Sequence, residues 1–261
     1  MNFINKKLCL RDFVPPIMLG PLKRVASLLR IPQLFKESTN VEPFISPALG
    51  SFSQFNEDLL IDLLYSSKNN GFYIDIGAND PSFNSNTKRF YDRGWSGINV
   101  EPGEDAFKKL QACRSRDINL NKGVGPAKDI LTFYQVNGDS TLSSFSKKIA
   151  SKMASKFGLT ISEKSINVLR LVDIFEDYVK DNHVDILSID AEGLDAEILQ
   201  SNDWSRFRPS VIIVEIDSQY KEIIEYMHNK NYLLIYNNMH NGIFLDKLTT
   251  ENNLKSIVTK A

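Results

Sequence analysis

Phe72-Tyr-Ile-Asp-Ile-Gly-Ala-Asn79 is a mostly apolar run that stops at a glycine and a polar turn. Such a run is the mark of a buried strand that hands over to a loop at its carboxyl end. The pattern recurs on either side. Gly97-Ile-Asn-Val100 ends in Glu101-Pro102, Val184-Asp-Ile-Leu-Ser-Ile189 ends in Asp190-Ala-Glu192-Gly193, and Val211-Ile-Ile-Val214 ends in Glu215-Ile-Asp217. A third strand is expected near 118–124, then a β-ribbon strand at Ile130–Val136, and two more at Tyr232–Tyr236 and Gly242–Leu245. Segments 104–112, 172–181, 194–200 and 219–230 place apolar residues three and four apart and predict helices. Asn56 is expected to cap a further helix carrying Leu59, Leu60, Leu63 and Leu64. This alternation predicts an α/β fold whose mostly parallel sheet is covered on both faces. Asn237–Asn241 is too short for a crossover, so the last two strands should form an antiparallel hairpin at the sheet edge.

Ligands of an open α/β sheet bind outside the carboxyl ends of its strands. Those ends carry Asp75, Gly77 and Asn79, then Glu101, then Gly123–Gly125, then Asp190 and Glu192, then Glu215 and Asp217. Gly77 lets a backbone pass close to a ligand. Asp75 can accept a hydrogen bond from a ligand ammonium, and Glu101 can take both hydroxyls of a ribose, as acids do in dinucleotide folds. The glycine series of dinucleotide sites is missing, since Gly77 is followed by Asn79 and Ser82. That series brings the backbone against a pyrophosphate. S-adenosylmethionine (SAM) has a ribose and a zwitterionic tail but no phosphate, and suits the segment better. Taken singly, Gly77 is an ordinary turn glycine, Asp75 a capping acid and Glu101 a solvated loop acid. Their adjacency on neighbouring strand ends is what points to a cofactor.

The bulk numbers agree with one α/β domain plus a terminal extension. The chain has 261 residues, 42% apolar and 24% charged, with a formal net charge of −1. Neither a nucleic-acid partner nor a disulfide or zinc framework is suggested, for Cys9 and Cys113 stand far apart. A reducing, cytoplasmic setting is the simple expectation. No apolar run approaches the roughly 18 residues of a membrane span. Residues 1–50 differ from the rest and hold six of the ten prolines. Residues 1–36 set Lys6, Lys7, Arg11, Lys23, Arg24, Arg30 and Lys36 against Asp12 alone, a net of +6, which leaves −7 for the remainder. A short amphipathic helix fits between Pro21 and Pro32. Contact with an anionic membrane surface, such as the inner face of the membrane, is one use of such a segment. A homodimer arm and a cover over the acceptor pocket are the others. The division expected is 1–50 as extension and 51–261 as catalytic domain.

Five segments together resemble the FkbM family of SAM-dependent methyltransferases. They are Ser53-Gln54-Phe-Asn-Glu57-Asp58, Phe72–Pro81, Gly94–Pro102, Val184–Gly193 and Arg208-Pro-Ser-Val-Ile-Ile-Val-Glu215. The resemblance spans about 53–217 and leaves residues 1–50 out. It implies a class I SAM-methyltransferase Rossmann-like fold of seven strands, the last antiparallel. It also implies O-methylation of a sugar hydroxyl in glycan, capsule, lipopolysaccharide or natural-product biosynthesis. By motif Asp75, Gly77, Asn79 and Glu101 would hold SAM, with Pro102 and Val124 beside them, and Gln54 and Glu57 match the family's upstream segment, which also approaches the cofactor. The acceptor implied is a small molecule or glycan, nucleotide- or lipid-linked.

Methyl transfer to an alcohol needs alignment and a group that removes the proton. Asp190 is the first choice, against its reading as a helix cap. Glu192 would capture substrate or the helix N-terminus, and His240, in the turn between the last two strands, could stand over the acceptor. Asp190, Glu215 and Asp217 are the candidate ligands of one Mg²⁺. The segment Asp139–Ser144 leads into a helix with Lys147, Lys148, Lys152 and Lys156, which is either an anion site or a solvated face. Two rival functions remain, a binding protein that kept the fold without activity and a nucleotide-sugar or NAD enzyme. Intact acids count against the first and the missing phosphate glycines against the second.

Overall fold

The computed structural model describes residues 50–248 apart from Asp181, Ser218 and Met239. The basic segment 1–36 and the expected helix between Pro21 and Pro32 lie outside the described residues. In chain order the elements are α1 (Glu57–Leu64), β1 (Phe72–Ile76), α2 (Lys88–Asp92), β2 (Ser96–Val100), α3 (Glu104–Cys113) and β3 (Ile118–Leu120). Then come β4 (Gly123–Val124), β5 (Asp129–Asn137), α4 (Lys147–Phe157), β6 (Thr160–Leu169), α5 (Leu171–Ile174) and β7 (Ile186–Ile189). The chain closes with α6 (Asp195–Gln200), β8 (Val211–Glu215), α7 (Tyr220–Asn229), β9 (Tyr232–Asn237) and β10 (Asn241–Asp246). Among the described residues no helix is long and apolar enough to cross a membrane.

Seven strands form the main sheet in the order β3-β2-β1-β7-β8-β10-β9. The order reverses beside β1, which opens a crevice at the carboxyl ends of β1 and β7. The expected hairpin is present, and β10 runs antiparallel to both β8 and β9. β9 therefore runs with the rest at the very edge, and β10 is slotted inside it.

The alternation of side chains along each strand divides the core in two. Ile74, Ile76, Leu187, Ile189, Ile212 and Val214 pack with Leu171 and Ile174 of α5, Ile198 of α6, and Ile223 and Met227 of α7. Tyr73, Ile186, Val211, Ile213 and Ile243 face the other way, onto Leu60 and Ile61 of α1 and Phe90 of α2. Each such apolar side chain contributes about 1.5–3 kcal/mol when fully buried, so both layers hold the sheet.

Several expectations are corrected. The strand expected near 118–124 is two: β3 extends the main sheet, while β4 belongs to a second, three-stranded sheet of order β4-β6-β5. Asn121 turns the chain between them, donating to the carbonyls of Glu101 and Pro102 at 3.0 Å each. The ribbon partner of β5 is β6, which the sequence did not reveal because its side chains are largely solvent-facing and polar. The 172–181 helix is a short α5 followed by a wider π turn at Phe175–Val179. Asn56 precedes α1 in a left-handed conformation and makes no side-chain cap, while Ser53 Oγ receives the Asp58 N–H at 3.1 Å. The lysines of α4 are a solvated face: all four are exposed, and Lys147 pairs with Glu163 at 3.0 Å.

Candidate functional site

A cleft of about 690 Å³ opens over the carboxyl ends of the sheet. Gln54, Gly77, Asn79, Glu101, Pro102, Val124, Asp190, Glu192, Glu215, Asp217 and His240 all line it. Strands distant in sequence thus bring nearly all of the expected residues to one place. The second sheet and its connection supply the opposite wall through Phe133, Ser140, Thr141 and Phe145.

The middle of the site is built on one glycine. Gly77 has φ +75°, and a Cβ there would lie 1.9 Å from the Asp190 carbonyl oxygen. The close approach that needs a glycine is therefore with the protein's own backbone, not a ligand. The main chain is pinned by Gly77 N–H to Val100 O at 2.9 Å and Asp190 N–H to Ile76 O at 3.0 Å. Asp75 is a correction of the same kind. It does not line the cleft, being buried below it, where it accepts the Thr87 hydroxyl at 2.6 Å. Its face of β1 is the α2 face, so it fixes the start of α2 rather than meeting a ligand ammonium.

Glu101 closes the turn beside it. Its two oxygens accept the backbone N–H groups of Asn79 (2.9 Å) and Gly103 (2.6 Å). Burial pushes its carboxyl up to about 7 despite those bonds. Asn79 stands at φ +43° and accepts the Ser140 hydroxyl at 2.7 Å, tying the second sheet to the turn after β1. Buried Arg114, just past α3, donates from Nε and Nη2 to the Pro81 carbonyl at 3.1 and 2.8 Å. That grip fixes the loop whose Asp80, Phe83, Asn84 and Asn86 also line the cleft.

The other half of the cleft is acidic. Asp190, at the end of β7, is open to the cleft. Desolvation first, then the charges of Asp75, Asp217 and Glu57, raise it to about 6. Glu192 is raised to about 7 and Glu215 to about 9, each by desolvation and then by Asp190. Asp195 opens α6 and accepts the N–H groups of Ala191 (3.0 Å) and Gly193 (3.1 Å), which shapes the turn carrying Asp190 and Glu192. It too is raised to about 7, by desolvation first. Among the described residues no three His, Cys, Asp or Glu side chains are grouped as metal ligands. Asp190, Glu215 and Asp217, the candidate Mg²⁺ ligands, are not gathered into such a group. Asp217 instead lies 2.9 Å from the His240 Nδ1.

Acids raised in the folded state hold protons more tightly folded than unfolded. Their contribution is full below the ordinary carboxylate range and is lost as pH rises through the raised values. For Asp190, Glu101, Glu192, Asp195 and Glu215 the loss begins in the ordinary carboxylate range, at about 4, and ends at the raised values, from about 6 for Asp190 to about 9 for Glu215. The ligand-free melting temperature should fall across that window, by about 2–4 °C for each kcal/mol lost. A melting temperature that is level or rises over that range in buffered thermal denaturation would contradict the assignment.

A strap before α1 completes the rim. Asp58 holds its start, accepting the Ser51 and Ser53 hydroxyls at 2.6 and 2.8 Å and the Phe52 N–H at 3.0 Å. His240 stacks on Phe55, with ring centroids 5.0 Å apart and planes 6° from parallel, and its Nδ1 lies 2.9 Å from an Asp217 oxygen. Sequence reasoning missed Phe55, Phe83, Asp195, Phe133 and Phe145, whereas Asp139–Ser144, singled out as an anion site or the lead into a solvated face, supplies Asp139, Ser140, Thr141, Ser143 and Ser144 to the cleft. Of those missed, Asp195 alone had a local signal, as an acid in the first turn of a helix after Gly193. The rest lie on loops and on the second sheet, where no motif marks them.

The methyltransferase FkbM domain family matches residues 75–234, more than half of the chain. No curated protein matches. Among solved structures, similarity is found to a TehB-like SAM-dependent methyltransferase from Corynebacterium glutamicum, at 9% identity and TM-score 0.41, covering 77% of this chain and 92% of that one. It is also found to M. capricolum TrmK in complex with S-adenosylhomocysteine, at 15% identity and TM-score 0.37, covering 76% and 70%. A third is a putative caffeoyl-CoA O-methyltransferase from Staphylococcus aureus, at 11% identity and TM-score 0.35, covering 90% and 94%. On the family match, and with a seven-stranded sheet in which the last strand of the chain, β10, is antiparallel, the chain belongs to the FkbM methyltransferase domain family and is a SAM-dependent methyltransferase.

Proposed function

We propose that this chain methylates a hydroxyl of a sugar, in a small molecule or a glycan, as in glycan, capsule, lipopolysaccharide or natural-product biosynthesis. The observation that carries the reading is the division of the cleft. Gly77, Asn79, Glu101, Pro102 and Val124 lie toward β1, β2 and β4, while Asp190, Glu192, Glu215, Asp217 and His240 lie toward β7, β8 and β10. The first group would hold SAM, and the second would receive the acceptor. The donor set fits. Among the described residues Lys122 is the one lysine or arginine lining the cleft, and it follows β3, across the sheet from Glu215. A cleft so rich in carboxylate suits a sulfonium and an ammonium, and Glu101 keeps lone pairs for a diol.

When bound, SAM supplies an electrophilic methyl carbon. The protein's part is to align an alcohol with it and to take its proton. Asp190 sits at the join of the two halves, its backbone against Gly77. Its carboxylate accepts the acceptor's O–H, and the proton passes to it as the oxygen forms the new C–O bond. A bound SAM would give up its methyl group in that displacement and leave as the neutral thioether with the C–S bonding electrons. His240 holds a second acceptor hydroxyl. Its Nδ1 lies 2.9 Å from an Asp217 oxygen, and a proton held there would leave the Nε2 lone pair for the ligand.

Thermal denaturation with SAM, S-adenosylhomocysteine and NAD tests the cofactor half. Ligand at about 100 times its Kd adds about 2.7 kcal/mol to the folded state. SAM and its product should raise the melting temperature, and Glu101→Gln should remove most of the rise. A rise with NAD alone, or none with SAM for the folded wild type, would defeat the reading. Transfer of labelled methyl to a panel of methyl glycosides tests the acceptor half.

A further inference from the structure

The sequence resemblance groups Glu57 with the residues that approach the cofactor. The structure points it elsewhere. Glu57 is fully buried at the start of α1, and among the described residues no cationic side chain pairs with it. A buried carboxylate without a countercharge is costly unless its lone pairs are filled. Here they are filled from two separate segments. Oε2 accepts the Phe55 N–H at 2.9 Å, from the strap. Oε1 accepts the amides of Asn238 at 3.0 Å and Asn241 at 2.9 Å, from the β9–β10 turn 181 and 184 residues away.

Both segments carry one member of the stacked pair. Phe55 is the residue whose N–H Glu57 holds. His240 is held one step further on, because the Asn238 Oδ1 accepts the His240 N–H at 3.0 Å and the Asn241 N–H at 2.6 Å. The carboxylate therefore joins the platform (Phe55) to the ring lying on it (His240), and that ring lines the cleft with its Nδ1 on Asp217. Charge-assisted bonds from one carboxylate to two segments fix their separation better than a flexible turn does.

We propose that Glu57 is a positioning residue that sets His240 over the acceptor end of the cleft and so fixes its ring orientation and tautomer. The proposal rests on the reading of His240 as an acceptor contact, but its test does not need an acceptor. The chain has three histidines, His183, His228 and His240, so imidazole ¹⁵N NMR of the whole protein resolves each, with His240→Gln for assignment. In the wild type His240 should show one dominant tautomer with the proton on Nδ1. Glu57→Gln places an amide where two carboxylate oxygens served, and should shift the His240 ring signals toward a tautomer average. Asn241→Ala removes one donor at the turn surface, keeps α1 intact and should shift them in the same direction, with His183 and His228 unmoved. If Glu57→Gln disturbs all three histidines, it has unfolded the protein, and Asn241→Ala decides alone. Unchanged His240 signals in Asn241→Ala, or in a folded Glu57→Gln, would overturn the proposal. A failure of SAM to stabilise the protein would instead remove the functional reading and leave the ring result standing.

Discussion

Asp190→Asn should lower the turnover number by about 10²–10⁴-fold, the usual worth of a positioned general base. Asparagine keeps the size of the side chain and cannot take the proton. The backbone contacts of residue 190, its N–H to Ile76 and its carbonyl beside Gly77, do not depend on the carboxylate, so the fold should survive. SAM should bind the variant nearly as it binds the wild type, since among the described residues nothing bonds the Asp190 side chain to the cofactor half. A signature in pH accompanies the loss. The carboxyl of Asp190 is raised to about 6, and only the ionised form is a base. The wild-type rate should therefore climb with pH through about 6 and level above it, while the residual rate of the variant should lack that limb. The measurement is labelled-methyl transfer to the best glycoside of the panel across the pH range. A variant within about threefold of wild type, set against the expected 10²-fold loss or more, would move the proton to another group, His240 first.

Gly77→Ala should cost the fold about 2–5 kcal/mol. About 1–2 kcal/mol comes from holding a side chain at φ +75°. About 1–3 kcal/mol comes from overpacking, because the new Cβ would stand 1.9 Å from the Asp190 carbonyl oxygen and backbone has to move. Gly94→Ala separates the two contributions. Gly94 has φ +94° but nothing within 4 Å of a built Cβ, so that variant should show the strain alone. Chemical or thermal denaturation of the pair gives the difference directly. Equal losses would mean the carbonyl gives way freely and the close approach is not what fixes the glycine. Since the displaced carbonyl belongs to Asp190, Gly77→Ala should also lose activity well beyond its loss of folded protein.

Much of the architecture was legible before any coordinates. Apolar runs such as Phe72–Ile76, Ile186–Ile189 and Val211–Glu215 are buried on both faces and cannot be mistaken for surface. The short link from β9 to β10 demanded an antiparallel pair. The second sheet was half seen. β5 showed its alternation, but β6 carries Glu163, Lys164, Ser165 and Asn167 on a largely wet ribbon, so periodicity gave no sign.

The same divide runs through the site. Strand-end positions placed Glu101, Asp190, Glu192 and Glu215 at the cleft, because the carboxyl ends of the parallel strands β1, β2, β7 and β8 open on one edge of the sheet. Position on the chain does not say which way a side chain turns or who answers it. Asp75 has the right place in sequence and faces α2 instead. Gly77 was read as room for a ligand, and the room is filled by the Asp190 carbonyl. Glu57 was read toward the cofactor, and its partners are Asn238 and Asn241 at the far end of the chain. The sequence by itself determined the elements, their order and the edge at which chemistry occurs, since those follow from local periodicity and chain reversal. Only the tertiary structure decided the partners, because hydrogen bonds across 181 residues form when packing closes the distance and leave no local trace.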